Sequence, residues 1–373
     1  MKKEILIKIS KYFLSSRLLF LLFAFLAIKF IPLQKGYLGK QFDSAAPYLA
    51  WVWANFDGRH YLEIAKIGYQ RTNFAFFPFY PSLIRLTHYF LPVSHLYLGI
   101  VISLVSLFLA MIVIQKIVRL DFKEELASRT LLFLAFFSIS FYYQAIYPDA
   151  LFLLLSTTSF YFARQKKWLF SGFFGCLTTL TRFSGLALIP ALAVEWYLQN
   201  KKIVSWRFFK EAGTALFLTG FGLVLYLIYL QVFYGDFLLF QKSMIAWRQN
   251  ELIFPVRVIY RYLKIFWLVD KRSLVYWVAV LEFISQFLYL GLAFYAWKRI
   301  RASYGLFMVT LLIMVSFTGT MAGTPRYLLH LFPGFIALAL LFKNKQAIIA
   351  IIILFFILGF LFTGLFTRGY FLT

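Results

Sequence analysis

Cysteine is almost missing from this chain: there is one, Cys176, in 373 residues. That excludes an internal disulfide and any cysteine-ligated metal site. Acids are scarce too, 14 Asp and Glu against 38 Lys and Arg, which leaves a net charge of +24. Charged residues of both signs make up only 14% of the chain. No stretch stays polar for long enough to fold as a separate soluble domain. There is also no Walker-type phosphate loop, no Gly-rich dinucleotide motif and no inverted repeat of the transporter kind.

What fills the chain is apolar. Hydrophobic residues account for 62% and mean hydropathy is +0.79, far outside the range of soluble domains. Repeated apolar runs with charges at their ends read as an all-α polytopic membrane protein, a single integral unit over residues 1–373. The positive charge does not point to nucleic acid. Lys and Arg recur in short clusters between apolar runs, as cytoplasmic loops do.

About eleven runs come near the length that crosses a bilayer of roughly 30 Å. They are residues 14–33, 96–117, 127–144, 148–163, 168–181, 184–198, 212–233, 273–297, 304–320, 327–342 and 347–366. The fifth and sixth are short enough for tilted half-helices or a re-entrant pair. The basic stretch from Met1 to Arg17 runs into a long span without a small-residue cleavage pattern, and reads as a retained first helix. Lys2, Lys3, Lys8, Lys11 and Arg17 put the N-terminus on the cytoplasmic side. Alternate loops with Lys116/Arg119/Lys123/Arg129, Arg164/Lys166/Lys167, Lys201/Lys202/Arg207/Lys210, Lys298/Arg299/Arg301 and Lys343/Lys345 agree, with the C-terminus outside. Two long loops, about 34–95 and about 234–272, then face outward. Asp57, His60, Glu63, Tyr147, Asp149, Arg182 and Arg326 share that face.

The most informative stretch is Trp51 to Arg85, WVWANFDGRHYLEIAKIGYQRTNFAFFPFYPSLIR. The outward acids are Asp43, Asp57, Glu63, Asp149, Asp236, Glu251 and Asp270, and Asp57 has the most unusual setting, between Trp53/Phe56 and His60. For sugar transfer off a lipid phosphate, one carboxylate suffices to take the proton from an attacking hydroxyl, unlike the carboxyl pair of a glycosidase. Asp57 equally suits a helix N-cap. His60, at i+3 on the same helical face, either orients substrate or satisfies a backbone group. Asp57, His60 and Glu63 at successive i+3 steps form a weak metal set, since the face rotates and a fourth ligand is missing.

Asn73 to Pro81 is interrupted by Pro78 and Pro81 and cannot be an ordinary span. Its aromatics Phe76, Phe77 and Tyr80 line a groove for an isoprenoid or sugar ring, or form an interfacial belt. Asp149 after Pro148 is a good helix start. Arg182 and Arg326 each read as a phosphate clamp or as a snorkelling anchor. Arg257, Arg261 and Lys264 recur at i, i+4 and i+7, a short interfacial helix with its cations toward headgroups or a lipid phosphate. Glu282 is an acid deep inside a predicted apolar span, where an acid first suggests transport.

From Phe56 to Arg85 the chain resembles the PIG-V family of GPI mannosyltransferase 2 enzymes and their bacterial relatives. The resemblance rests on Phe56-Asp57-Gly58-Arg59-His60-Tyr61, on Ile64-Ala65-Lys66-Ile67-Gly68-Tyr69 and on Asn73 to Pro78. Weaker matches are Ala145–Asp149, Leu180–Gly185 and Arg326–Leu328. The resemblance implies a GT-C type helix bundle with the catalytic Asp, here Asp57, in the first outer loop. It also implies a polyprenyl- or dolichyl-phosphate-linked hexose donor, usually mannose, and transfer with inversion. Phe56 stands where the family often has Trp. The acid-rich context of a metal-dependent relative is missing, so no metal or cofactor is expected.

The resulting expectation is a mannosyltransferase-like enzyme acting at the extracytoplasmic face on a lipid or glycan acceptor. Asp57 is its base, with His60, Glu63, Phe76, Phe77, Tyr80, Asp149, Arg182 and Arg326 binding substrate. A lipid-linked-sugar flippase is the alternative.

Overall fold

The computed structural model describes residues 3–37, 46–70, 73–201, 206–247 and 253–372. Lys2, Asp43, Lys202 and Glu251 lie outside the described residues. Among the described residues the fold is helical, without strands. In chain order the longer helices are α1 (Lys3–Phe30), α2 (Asp57–Ile67), α3 (Phe79–Phe90), α4 (His95–Val118), α5 (Glu124–Phe136), α6 (Asp149–Arg164) and α7 (Trp168–Thr181). They continue with α8 (Leu188–Asn200), α9 (Thr214–Tyr234), α10 (Pro255–Leu268), α11 (Leu274–Arg299), α12 (Ala302–Ser316), α13 (Phe332–Leu341) and α14 (Lys345–Thr367).

Long apolar helices make this a polytopic membrane protein, but they are fewer than hydropathy suggested. By length and composition five cross a bilayer: α1, α4, the segment 206–234 that ends in α9, α11 and α14. A sixth is reached if Thr324–His330 and α13, bent by 89°, count as one broken span. The other apolar runs read from the sequence are shorter or broken helices among the described residues. Hydropathy measures composition, and several of its apolar runs are not continuous helix. The run 127–144 is helical only to Phe136, then becomes irregular. At 1.5 Å per residue, α7 with its 14 residues is only about 21 Å long. Irregular backbone at such depth survives where protein groups satisfy it.

The described chain groups into two compact units. The first comprises residues 1–69, 78–157 and 338–372, and the second residues 70–77 and 158–337. In the first, α1 meets α14 through interlocking rings, Phe23 lying edge-on to Phe356 at 4.9 Å and to Phe360 at 5.6 Å. Arg17, one of the N-terminal cations, belongs to this core. Only 5% exposed, it donates to the carbonyls of Ala135 (3.0 Å) and Ser140 (2.7 Å). It thereby supplies the donors that the broken end of α5 requires.

In the second unit, α7 and α9 touch backbone to backbone. A methyl group at Gly175 would sit 2.1 Å from Thr219 Oγ1, and one at Gly222 would sit 2.4 Å from the Cys176 carbonyl. Close approach through small residues is how apolar helices gain packing contacts where no hydrophobic effect drives them together. The helix ends are tied by charge. Fully buried Glu195 on α8 receives Arg301 Nε at 2.6 Å, Arg301 Nη2 at 2.8 Å and Ser303 Oγ at 2.7 Å, with Arg164 Nε 3.5 Å away. Two guanidinium groups and a hydroxyl offset the cost of burying one carboxylate.

Candidate active site

The chain enters α2 through a strained residue. Phe56 has φ +53° and ψ −116°, a region that a bulky side chain rarely occupies. Its ring is held by Phe366 at 5.6 Å and Phe371 at 5.5 Å, so the packing enforces the conformation. Such strain recurs where a side chain must be aimed. Asp57 directly follows this residue. Phe56 occupies the cap position and no side chain caps the helix there, so Asp57 is the first helical residue. At that place its carboxylate lies beside the positive end of the helix.

Both ends of α2 are pinned. Tyr147 Oη donates to the Asn55 carbonyl at 2.8 Å and accepts from the Asp57 amide at 3.2 Å. At the far end, Arg85 of α3 donates to the last-turn carbonyls of Ala65 (2.8 Å) and Ile64 (2.7 Å), the latter also accepting from the Gly68 amide. Gly58, Tyr61, Leu62, Ile64 and Ala65 bury one face. Asp57, His60 and Glu63 lie half-buried along the flank.

His60 Nδ1 is 4.0 Å from Glu63 Oε2. Burial pushes the imidazole below its ordinary value, against the pull of the Asp57 and Glu63 charges. The ring is therefore neutral at pH 7, able to donate from one nitrogen and accept at the other. Among the described residues no group of three His, Cys, Asp or Glu side chains is placed to hold a metal ion.

Tyrosines lie beneath α2. Tyr61 packs edge-on against Tyr80 at 5.4 Å. Tyr80, fully buried, bonds the Gly99 carbonyl at 3.0 Å and Ser103 Oγ at 2.7 Å. Asp149, also fully buried, heads α6. Asp57, His60, Glu63, Tyr80 and Asp149 all belong to the first unit.

Phe76, Phe77, Arg182 and Arg326 belong to the second. Tyr226 donates to the Phe74 carbonyl at 2.6 Å and packs on Phe77 at 4.9 Å, fixing the aromatic run. Phe77 also meets Phe183 at 6.4 Å, the neighbour of Arg182. Arg182 leaves the end of α7 in an extended conformation. Its guanidinium lies over the Tyr327 ring at 5.3 Å, with Nη2 3.4 Å from the hydroxyl. Tyr327 follows Arg326, which is 7% exposed in a short turn opened by Gly323 and Pro325. The structure thus brings Arg182 to the Arg326 turn.

Tyr147, Tyr327 and buried His330, whose ring stands 5.5 Å from that of Tyr327, were given no role by sequence reasoning. In GTPRYLLHLFP only the Arg carried an explicit signal, since a Tyr and a His among leucines read as ordinary interior residues.

Long apolar helices, with acids and arginines at several of their irregular ends, define an integral membrane protein. Residues 3–289 match the family Mannosyltransferase (PIG-V), and the chain belongs to that family of glycosyltransferases. Comparison with curated protein sequences gives no match.

Proposed function

We propose that this membrane mannosyltransferase takes its sugar from a polyprenyl-phosphate carrier and passes it, with inversion, to a lipid or glycan acceptor at the extracytoplasmic face, within a GT-C type architecture. The observation that carries the reading is Asp57. It is a half-buried carboxylate at the head of a helix pinned at both ends, directly after a residue held in a left-handed conformation. Asp57 accepts the proton of the acceptor hydroxyl as that oxygen attacks the anomeric carbon. The bond to the phosphate breaks, and the carrier leaves as polyprenyl phosphate. Neutral His60 and Glu63 orient the sugar or acceptor. Arg182 and Arg326 hold the donor phosphate through charge-assisted hydrogen bonds, and Phe76 and Phe77 offer ring faces to sugar or isoprenoid. Tyr80 and Asp149 support the site from within, as their complete burial suggests.

The protein should be reconstituted in sealed right-side-out vesicles with labelled mannosyl polyprenyl phosphate inside the bilayer and a membrane-impermeant acceptor outside. Transfer predicts one polyprenyl phosphate released for each mannose on the external acceptor. A donor that changes leaflet with its sugar–phosphate bond intact would identify a flippase and sink the proposal.

A further inference from the structure

Glu282 is a buried acid that the proposed chemistry does not use. It lies in α11, one of the membrane-crossing helices, where an acid is costly without a named partner. Its partner is Tyr262 of α10, whose hydroxyl donates to Glu282 Oε2 at 2.5 Å. The same hydroxyl accepts from the Met321 amide at 3.0 Å and lies 3.3 Å from Thr320 Oγ1. The Gly323 amide donates to the Glu282 carboxylate. Four residues along α11, Gln286 accepts from Thr324 Oγ1 at 3.3 Å and donates to Ser316 Oγ at 3.1 Å. Three residues further, Tyr289 donates to the Pro325 carbonyl at 3.2 Å.

Positions 282, 286 and 289 stand at i, i+4 and i+7, on one face of the helix. From α10, Arg261 Nη1 reaches the Gly319 carbonyl at 3.0 Å. Arg261, exposed on its helix, is thereby also tied to this segment. Lys264 instead lies over the Tyr260 ring at 4.7 Å.

The segment these groups hold is irregular. Gly319 and Gly323 both have left-handed backbone, φ +87° and +82°, where a side chain is strained. Non-helical backbone in a membrane protein must be satisfied by protein groups. Here those groups come from two helices and meet nearly every residue from 319 to 325. The next residue is Arg326.

We propose that Glu282, Gln286 and Tyr289 of α11, with Tyr262 of α10, form a polar template that sets the position of Arg326 toward the donor phosphate. They are positioning residues and touch no substrate. The inference rests on the reading of Arg326 as a donor-phosphate ligand. Glu282 is then a structural carboxylate in a span, with no part in a proton pathway.

The test is steady-state kinetics of Y262F, E282A, E282Q, Y289F and R326Q, and of the double variant Y262F/R326Q, in detergent with mannosyl polyprenyl phosphate as donor. Y262F removes the hydroxyl that links Glu282 to the Met321 amide, and a shift of Arg326 that weakens one hydrogen bond to the phosphate predicts roughly a three- to tenfold rise in apparent donor KM. E282A gives the larger rise and Y289F a smaller one, while acceptor KM stays unchanged. E282Q, which keeps an oxygen for the Tyr262 hydroxyl, recovers most of the parent value. Because Tyr262 acts through Arg326, Y262F adds nothing in the R326Q background.

A role in stability alone lowers the melting temperature of Y262F and Y289F and leaves donor KM at the parent value in the folded fraction; that result overturns the template. Multiplying effects of Y262F and R326Q overturn it as well. If R326Q itself leaves donor KM unchanged, the phosphate role of Arg326 falls and takes the template with it. A response from R326Q with none from Y262F and E282A removes the template alone.

Discussion

Replacing Asp57 by Asn lowers kcat by roughly 10²–10⁴-fold, the range over which a positioned general base contributes, while donor KM changes little. Asn keeps the size of the side chain and its place in the first turn of α2. It loses the negative charge beside the helix start, which costs only about 0.3–1 kcal/mol of stability. A helix-start role and a catalytic role therefore separate cleanly. The first predicts a small shift in melting temperature with turnover preserved. The second predicts a folded protein that binds donor and does not turn over. Substrate binding through other groups survives in the second case, so the loss sits in kcat. Measured turnover within threefold of the parent, in D57N of unchanged melting temperature, would remove Asp57 from the chemistry.

The second large effect lies at the two arginines. A hydrogen bond to a charged group contributes about 1.5–3 kcal/mol, so R326Q raises apparent donor KM by roughly 10- to 100-fold. R182Q acts in the same parameter. Arg182 lies on the Tyr327 ring, beside Arg326, and residues that share a contact do not act independently. The double substitution R182Q/R326Q therefore falls short of the product of the single effects. Acceptor KM provides the internal control and stays where it was. If both single variants bind donor as the parent does, the arginines are anchors of the fold and phosphate recognition lies elsewhere.

The sequence made some of this legible through short, local signals. Asp57 followed by His60 marked a helix start in a polar setting, and α2 begins at Asp57. Two prolines in the aromatic run excluded a span there, and Phe79–Phe90 forms a separate amphipathic helix. The spacing of Arg257, Arg261 and Lys264 marked a helix that the structure places at Pro255–Leu268.

What depended on tertiary contacts could not be read. Arg17 sits in a basic N-terminal run, and nothing local shows that it feeds the carbonyls of Ala135 and Ser140 more than a hundred residues away. The run 327–342 is mostly apolar and reads as one span, yet Thr324–His330 and Phe332–Leu341 meet at 89°. Hydropathy is blind to such bends. Glu282 looked anomalous because its partner, Tyr262, lies on a different helix. His330 and Tyr327 flank the Arg326 turn, but their residue types carry no mark that separates them from the interior.

The central claim is a single displacement with one carboxylate, Asp57, as base. The anomeric configuration of the transferred mannose tests it most directly, read by NMR on product made from a donor of defined configuration. One displacement predicts that every product molecule carries the configuration opposite to the donor. Retention would require two successive displacements through a sugar-bearing intermediate, and it would contradict the account.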